Sequence, residues 1–505
     1  MNVRPLATEA RSGPPHCWKS MVNYGFVIDN RSCIGCHACT VACKSEHDVP
    51  IGVNRTHVKY IEKGTFPNSS REFSVHRCNH CEDAPCVTIC PTTALFTRPD
   101  GIVDFDDARC IGCKACMQAC PYDALYIDPN QGTAAKCNYC VHRLENSYEP
   151  ACVIVCPTEA IISGDLDDPA SRIAQLVASH DTTVRKPESG AKPNVFYIET
   201  SKEMLDPAAT ERTGTGMWSE QIAGVGHFAK YAENRLGAAD TGSLLVQLAL
   251  EKKASEAPLR DQALIRDVMA KLSDDSPKAK RSYDQPSKGI LWGWEVSAYI
   301  MTKSMAAGFY IIAMLGVLLD DNRLVASNDV VIWVAALCIA LLGLTGLLLV
   351  KDLDRPERFL YVLLRPNWDS WLVRGAYVLG AFGAVLTAHI GIELLELDAS
   401  FHRPLAIVGI PLAWMTGAYT GWLFKQAKGR TIWASRSNFE ISSTATLEMM
   451  TLALVPYSLV SYAFDKTEIQ TPLALVGAVL LLTFVYFAFK HINKGLQKAQ
   501  MEPLL

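Results

Sequence analysis

The sequence predicts an α+β fold, in which a cysteine-rich domain with short strands precedes an all-helical transmembrane bundle. Three observations lead to this expectation. Sixteen of the eighteen cysteines lie between Cys33 and Cys156. Short stretches of alternating apolar and polar residues separate them, as is typical of brief strands. Beyond Gly289 the chain contains six apolar runs, each with the roughly 20 residues that a helix needs to cross a bilayer.

The sixteen cysteines form four groups of four. Groups one and three read C-x2-C-x2-C-x3-C, a spacing in which three thiolates hold one cubane cluster and the fourth reaches a neighbouring cluster. Groups two and four keep the C-x2-C start and the C-x3-C end around a longer gap. In chain order, the groups are Cys33/Cys36/Cys39/Cys43, Cys78/Cys81/Cys86/Cys90, Cys110/Cys113/Cys116/Cys120 and Cys137/Cys140/Cys152/Cys156.

Two other uses of cysteine fit this spacing poorly. A disulfide scaffold is typical of small secreted domains, and no secretory signal precedes these cysteines. Zinc sites use C-x2-C pairs, but they do not call for a third cysteine followed by C-x3-C-P. The sequence therefore predicts a ferredoxin-like iron–sulfur domain, with brief strands at 24–29, 101–105 and 124–128. Cys17 and Cys338 lie outside the groups, and we expect them to be ordinary thiols.

The order of the four groups resembles the four-cluster ferredoxin subunit of the molybdopterin oxidoreductases, which include the DMSO, polysulfide and tetrathionate reductases. The resemblance covers about residues 24–200. It implies four [4Fe-4S] clusters, with group one paired with group four and group two with group three. The implied ligand sets are Cys33, Cys36, Cys39 and Cys156; Cys137, Cys140, Cys152 and Cys43; Cys78, Cys81, Cys86 and Cys120; and Cys110, Cys113, Cys116 and Cys90.

Two segments outside the clusters carry weaker signals. Residues 1–23 read as a flexible extension without a twin-arginine export signal, which predicts a cytoplasmic ferredoxin part. Residues 201–290 are rich in charged and small residues, and we expect a linker that docks on the ferredoxin part or on a partner. The net charge of −4 gives no sign of nucleic acid binding.

The six predicted spans make residues 291–490 a transmembrane bundle and leave 491–505 as a cytoplasmic tail. Most of the Lys and Arg residues of the short connections lie in loops 351–370 and 425–440 and in the tail. By the positive-inside rule, both termini and the ferredoxin part face the cytoplasm from the inner (cytoplasmic) membrane. The predicted spans are 294–319, 330–350, 371–395, 404–424, 441–463 and 471–490.

The membrane part also carries a family resemblance. Trp292-Gly293-Trp294-Glu295 and the segment Asp354-Arg355-Pro356-Glu357-Arg358-Phe359 resemble the membrane subunit of the polysulfide reductase and formate-dependent nitrite reductase family, over about residues 290–490. That family passes electrons between a ferredoxin subunit and quinone without haem. Its polysulfide reductase-type members have eight helices where six are predicted here. The resemblance implies a multi-pass, quinone-reactive anchor.

Ionisable residues inside the spans are candidates for the quinone site, because each costs about 2.5–3.5 kcal/mol at mid-helix. Glu295, Tyr299 and Lys303 lie near the cytoplasmic end of the first span, with Trp292 and Trp294 at its start. These five residues are the expected site for ubiquinone or menaquinone. In the alternative interpretation, Lys303 snorkels to the lipid headgroups and Glu295 is simply interfacial.

Charged residues at two other places also have two interpretations. The charged residues of 354–358 either dock the ferredoxin part or anchor the helix end. His389, Glu393 and Glu396 lie towards the far end of the third span, and we expect interfacial positions for them, with a proton route as the alternative. His389 is the only histidine well inside a predicted span, so no pair of axial ligands predicts a haem.

Together these features predict the electron-transfer and membrane-anchor subunit of a respiratory oxidoreductase complex. It would pass electrons between membrane quinone and a large catalytic subunit, for which the resemblance implies a molybdopterin enzyme. We predict no catalytic residue on this chain, and the expected partners are lipid, quinone and that subunit, with no nucleic acid. Two alternatives remain: the same module serving a hydrogenase or a multihaem cytochrome, or an ion-translocating anchor with accessory clusters.

Overall fold

The computed structural model describes residues 22–65, 68–206, 209–212, 279–284, 288, 290–319, 328–430, 433, 435–465, 485–498 and 500. Nearly all of the predicted N-terminal extension, with Cys17, lies outside the described residues, as do most of the predicted linker and most of the sixth predicted span. We call the described residues up to 284 the ferredoxin part and those from 288 onward the membrane part.

The ferredoxin part is built of short strands and short helices around the cysteine loops. Its strands are β1 (Tyr24–Asp29), β2 (Thr56–Thr65), β3 (Asn68–Arg77), β4 (Leu95–Thr97), β5 (Val103–Phe105), β6 (Tyr126–Ile127), β7 (Ala134–Ala135), β8 (Ile161–Asp165), β9 (Thr182–Thr183), β10 (Val195–Ile198), β11 (Glu211–Arg212) and β12 (Lys280–Tyr283). Its helices are α1 (Ala38–Glu46), α2 (Pro85–Ile89), α3 (Ala115–Ala119), α4 (Val141–Leu144), α5 (Ala151–Ile154), α6 (Arg172–Ser179) and α7 (Lys202–Leu205).

A four-stranded sheet in the order β8-β1-β10-β9 carries the first core. Strand β1 is central and apolar, pairing in parallel with β10 and antiparallel with β8. Its Phe26 and Ile28 are buried against Tyr139 and Val195. Strands lie within all three stretches predicted from the sequence, at β1, β5 and β6. The predicted α+β class of this part is therefore confirmed.

A second sheet combines a hairpin of the ferredoxin part with two strands from within the predicted linker. The long hairpin of β2 and β3 pairs with β12, and β12 pairs with β11. Strand β12 lies beside β2 with Arg281 opposite Ile61. Residues near both ends of the 201–290 segment therefore pack on the ferredoxin part, through a strand pairing that the sequence did not reveal.

The membrane part is helical, as predicted. Among the described residues, four helices are long and apolar enough to cross a membrane: Trp294–Leu319, Val331–Lys351, Trp371–Leu394 and Ala399–Gln426. A fifth helix at the next predicted span is not among these four. The helices are α8 (Trp294–Leu319), α9 (Asn328–Lys351), α10 (Tyr361–Leu364), α11 (Trp371–Leu394), α12 (His402–Gln426) and α13 (Asn438–Asp465), and residues 485–498 are also helical.

One apolar cluster joins the two parts. It contains cysteines of groups two and three together with residues at the adjoining ends of the membrane helices, among them Trp292, Val296, Leu423 and Trp433. Gln500 contacts both sides, because its side chain bonds to Gln118 and to the backbone of Trp292. The ferredoxin part thus packs directly on one end of the helical bundle.

Candidate iron–sulfur and quinone sites

The loops of groups one and three have the same backbone design. Both read Cys-Ile-Gly-Cys-x-Ala-Cys, and Gly35 and Gly112 both take a φ of 70°. The residue after each second cysteine, His37 or Lys114, is also left-handed and precedes a short helix. At Gly112 a Cβ atom would lie 2.6 Å from the Cβ of Asp354. Glycine is needed there both for the positive φ and for this close approach.

The thiols of groups one and four are interleaved. Burial raises the pKa of the Cys43 thiol, and the nearby charges of Cys137, Cys152 and Cys140 raise it further. Burial also raises the pKa of Cys33, to which Cys156 contributes. The last cysteine of each group therefore lies near cysteines among the first three of the other.

Groups two and three show the same exchange. Cys120 lies near Cys78, Cys81 and Cys86, and its charge raises the pKa of each of these buried thiols. The thiols of Cys90, Cys110, Cys113 and Cys116 line one cavity. Crowded thiolates in a buried place repel one another, so they need a cationic group between them.

The donor sets fit clusters better than single ions. Among the described residues, no three Cys, His, Asp or Glu side chains converge closely enough to bind one metal ion. Thiolates around a cubane stand further apart, because each binds a different iron atom. Several buried polar groups also lack partners within the described part of the chain: Nε and Nη2 of Arg77, the amide of Asn79 and both ring nitrogens of His80. Cluster sulfur atoms accept hydrogen bonds, which makes these groups suitable neighbours.

Two basic side chains contact cysteines of group four. Arg77 is almost completely buried and its Nη1 donates a 3.1 Å hydrogen bond to the thiol sulfur of Cys152. Nε2 of His47 lies 3.1 Å from the sulfur of Cys140. A buried positive charge favours the more negative, reduced form of a nearby redox centre.

The loop of group three lies against the membrane helices. The indole Nε1 of Trp292 donates to the carbonyl oxygen of Cys113 at 3.1 Å, and Nη1 of Arg358 donates to that of Cys110 at 3.0 Å. On the other side, Nδ2 of Asn367 donates to the carbonyl oxygen of Cys90 at 2.7 Å. Three membrane residues thus bind the backbone of three of the cysteines that line this cavity.

The segment after α9 also contacts the loop of group three. Nζ of Lys114 lies 3.1 Å from the carboxylate of Asp354 and is almost completely buried. Nε of Arg355 donates to the carbonyl oxygen of Gln131 at 2.6 Å. Near the end of α12, a Cβ atom on Gly429 would lie 2.6 Å from the carbonyl oxygen of Cys120. Residues 354–358 therefore act as docking contacts.

The five residues expected at the quinone site are only partly brought together. Trp292 is buried, stacks on Trp433 and belongs to the same apolar cluster as Tyr299. Glu295 pairs with Lys351 at 3.6 Å, and that lysine also covers the ring of Trp294 at 4.4 Å. Trp294 is 46% exposed, so it faces away from the buried residues.

Lys303 does not snorkel. It is completely buried, and its Nζ donates to the carbonyl oxygens of Thr416 and Gly417 at 2.9 Å each. The ammonium also lies 4.2 Å from the ring centre of Tyr419. A carboxylate is close by on α13, where Glu448 accepts a 3.3 Å hydrogen bond from Ser304. Since Lys303 points into the bundle, the snorkelling alternative is wrong.

Comparison with known proteins agrees with this architecture. Residues 70–166 match the family model "4Fe-4S dicluster domain", and residues 284–492 match the family model "Polysulphide reductase, NrfD". One tetrathionate reductase subunit, from Salmonella typhimurium, is 41% identical over 220 residues, which are 43% of this chain and 86% of that protein.

Two further relatives have similar identity over somewhat shorter matches. One polypeptide of the polysulfide reductase of Wolinella succinogenes is 42% identical over 182 residues, 35% of this chain and 95% of the relative. Protein NrfC of Escherichia coli is 43% identical over 180 residues, 35% of this chain and 81% of the relative. The chain therefore belongs to the family of 4Fe-4S iron–sulfur proteins that includes these relatives, and it carries an NrfD-type polysulphide reductase membrane domain on the same polypeptide.

Proposed function

We propose that this chain is the electron-transfer and membrane-anchor subunit of a respiratory oxidoreductase complex, which connects a catalytic subunit to membrane quinone through four [4Fe-4S] clusters. The names of the relatives support it, since they are subunits of tetrathionate, polysulfide and arsenate respiratory reductases. The contact between Trp292 and Cys113 carries the proposal, because it joins a cluster loop to the start of a membrane helix.

The proposed division of labour follows the chain. Residues 24–200 bind the clusters, residues 291–490 form the membrane bundle, and the ends of the 201–290 segment pack on the cluster-binding part. When bound, the clusters supply one-electron carriers. The protein residues hold them in a dry interior, with Arg77 supplying positive charge and the thiols supplying the anchoring bonds.

The four ligand sets of the proposal are those implied by the family. The interleaved thiols support them, because each fourth cysteine lies near cysteines among the first three of another group. The set of Cys110, Cys113, Cys116 and Cys90 is the one whose loops bind the membrane helices. We assign the cluster held by this set as the one nearest the membrane in the row of four electron carriers.

We place the quinone next to this end, between the Trp292 region and Lys303. A quinone accepts two electrons and two protons. Lys303 offers a buried donor, and Glu295 exchanges protons with the aqueous phase at the interface, since it pairs with the exposed Lys351. Both roles suit general acid–base chemistry at a quinone oxygen. Either ubiquinone or menaquinone fits this description.

We propose that the catalytic subunit docks around groups one and four. There Cys36 is exposed, and apolar side chains of the same loops are exposed with it: Ile34, Val41 and Ile154 are each more than half exposed. Exposed apolar residues around a redox centre suit a protein that must bring its own cofactor close. By family, that subunit contains molybdopterin.

We further propose that the ferredoxin part faces the cytoplasm from the inner membrane. The basic residues of loops 351–370 and 425–440 lie on the side of the bundle that meets the ferredoxin part. Arg355 and Arg358 bind carbonyl oxygens of the ferredoxin part, so they have a structural reason to be basic. The positive-inside signal therefore depends on the other Lys and Arg residues of these two loops. Reporter fusions at residue 505 test this, and we expect activity only of a reporter that works in the cytoplasm.

Purification in mild detergent tests the function. We expect a complex with a large subunit, about sixteen iron atoms per chain for four cubanes, and molybdenum in the same fraction. In a second step, viologen-reduced clusters should be reoxidised by a quinone analogue. A stable monomer whose clusters never react with quinone would contradict the proposal, while a partner with nickel or haem would change only the class of partner.

A further inference from the structure

Four hydrogen-bonded side chains form a continuous row at the end of the bundle opposite the ferredoxin part. Oε1 of Glu393 lies 3.0 Å from Nε2 of His402. Nδ1 of His402 lies 2.8 Å from Nδ1 of His389. Nε2 of His389 lies 3.0 Å from the hydroxyl of Tyr310. The row therefore connects helices α11, α12 and α8 through three hydrogen bonds.

The two ends of this row differ in access to water. The side chain of Glu393 is 27% exposed and lies one residue before the end of α11. His402, His389 and Tyr310 are buried, with 2% exposure at most. Tyr310 lies within the apolar core of the bundle. It is five residues, or roughly 8 Å, nearer the far end of α8 than Met305, which packs against the same core. One end thus opens to the surface and the other ends inside.

The backbone of α12 makes room for the inner end. A Cβ atom at Gly409 would lie 1.9 Å from the Tyr310 hydroxyl oxygen. Glycine inside a helix costs about 1 kcal/mol relative to alanine, so its presence in α12 has a packing reason. The hydroxyl occupies that space and reaches His389. The imidazoles of His389 and His402 are held parallel, with 5.1 Å between ring centres.

The bonding pattern allows two arrangements of the protons. A neutral imidazole has one donor nitrogen and one acceptor nitrogen, so the contact between the two Nδ1 atoms holds a single proton. All bonds are satisfied when every donor points towards Glu393, or when every donor points towards Tyr310. The arrangement with donors towards Tyr310 holds one more proton, on Glu393. It converts into the other when the three bonding protons each cross their own bond and Tyr310 loses its hydroxyl proton inward. A row of groups with two such states conducts protons.

Few charges surround this row. Glu393 is the acid of the row itself, and the charged residues close to it in sequence, Glu396, Asp398 and Arg403, are exposed. A fixed charge inside the bilayer is costly, whereas a proton passed between neutral groups avoids a permanent one. The row has no part in holding the ferredoxin part, which lies at the other end of these helices.

We propose that Glu393, His402, His389 and Tyr310 form a proton relay that opens to the water on the face of the membrane opposite the ferredoxin part. This relay goes beyond electron transfer, because it would connect the interior of the bundle to the far side of the membrane. Only its use in quinone chemistry rests on the function proposed above.

In the inward direction, the relay works as follows. A proton binds the carboxylate of Glu393 and moves to Nε2 of His402. The Nδ1 proton of His402 moves to Nδ1 of His389, and the Nε2 proton of His389 moves to the hydroxyl oxygen of Tyr310. Tyr310 releases its own hydroxyl proton towards the interior of the bundle. One proton enters and one leaves.

The relay itself is tested by infrared spectroscopy on the full chain in lipid nanodiscs, with the histidine rings labelled with carbon-13. We expect the native protein to show a pH-dependent change of imidazole tautomer that both His389→Gln and His402→Gln remove as a unit. Glu396→Gln, on an exposed residue three positions after Glu393, should leave that signal unchanged. A histidine pair whose tautomers are the same at every pH at which the protein stays folded would show a purely structural role.

The direction and use of the relay are tested in proteoliposomes that contain a quinone analogue and a pH-sensitive dye in the lumen. Viologen reduces the outward-facing clusters. We expect the lumen pH to rise with electron flow in the native protein, and at least tenfold less in Glu393→Gln and Tyr310→Phe, with Glu396→Gln as the matched control. A native lumen response in the relay variants, or quinone reduction without any lumen response, would overturn the proposal. If the native protein reduces no quinone, the proposed function fails and the infrared result still decides the relay.

Discussion

The indole of Trp292 donates a 3.1 Å hydrogen bond to the carbonyl oxygen of Cys113. This single contact joins the residues just before a membrane helix to the loop of a proposed cluster ligand. Trp292 also stacks on Trp433 and lies near Phe424, so the loop rests on a rigid aromatic surface. Such contacts fix the distance between the proposed cluster in the ferredoxin part and a quinone bound in the membrane part.

The close approach at Gly429 gives a prediction about this distance. Gly429→Ala places a Cβ atom 2.5 Å from the carbonyl oxygen of Gln118 and 2.6 Å from that of Cys120, so the segment after α12 must move away from the cluster loop. We expect normal iron content but a severalfold slower reoxidation of reduced clusters by a quinone analogue, measured by stopped flow.

The matched control for this variant is Gly383→Ala, because a Cβ atom there meets nothing within 4 Å. It should have native kinetics. Equal rates in Gly429→Ala and the native protein would mean that electrons do not cross at this contact.

The buried Lys303 gives a second prediction. Lys303→Leu removes the donor to Thr416 and Gly417 and also leaves Glu448 without its positive neighbour. We expect all four clusters to remain reducible through the partner while quinone exchange slows at least tenfold. Insertion should not suffer, since the substitution removes a charge from the bilayer.

A double variant, Lys303→Leu with Glu448→Gln, separates the roles of these two residues. If the lysine acts on quinone, the double variant stays slow. If the slowing comes only from the unpaired carboxylate, the double variant recovers, and the donor role of Lys303 is refuted.

Arg77 gives a prediction about cluster potentials. Its guanidinium is buried beside Cys152 and is in electrostatic contact with Cys137 and Cys39. Arg77→Met keeps the stem and removes the charge, so we expect the potential of a nearby cluster to fall by on the order of 60 mV, equivalent to about 1.4 kcal/mol for one electron. Redox titration followed by electron paramagnetic resonance measures this.

Arg77→Lys retains the charge and is the control, with a shift much smaller than that of Arg77→Met. If both variants shift the potential equally, hydrogen-bond geometry rather than charge sets it. Unchanged potentials in both variants would show that Arg77 does not set the cluster potential.

Lys59 gives a prediction about the pH dependence of stability. Burial lowers the pKa of this lysine to about 7, and its Nζ is held by the carbonyl oxygens of Glu203 and Met204. Between pH 7 and the ordinary lysine pKa, the unfolded state binds more protons than the folded state, so stability rises with pH. The slope is at most about 1.4 kcal/mol per pH unit for one proton.

We therefore expect the melting temperature of the ferredoxin part to rise from pH 7 to pH 9 in the native protein and to rise less in Lys59→Met. Lys63→Met, on the same strand at a partly exposed position, should retain the native pH dependence. Parallel curves for the native protein and Lys59→Met would contradict the buried, neutral lysine.

The sequence revealed those features that depend on local spacing. The C-x2-C-x2-C-x3-C pattern fixes a loop by itself, and β1 is a short, mostly apolar run of six residues. Docking by residues 354–358 was one of two interpretations of the sequence, but the docking contacts of Asn367 and Trp292 were not readable, because these side chains bind backbone carbonyl oxygens that carry no side-chain signal. The partner of His389 was missed because His402 lies outside the apolar run and reaches it only when α12 folds back on α11.

The most direct test of the central claim is the reoxidation rate of reduced clusters by a quinone analogue in Cys113→Ser. Cys113 is a proposed ligand of the cluster at the membrane end, so the variant should lose or convert that cluster, and with it up to about a quarter of the iron. We predict that viologen still reduces the other three clusters while reoxidation by quinone falls at least a hundredfold. Native iron content with a native reoxidation rate would contradict the account.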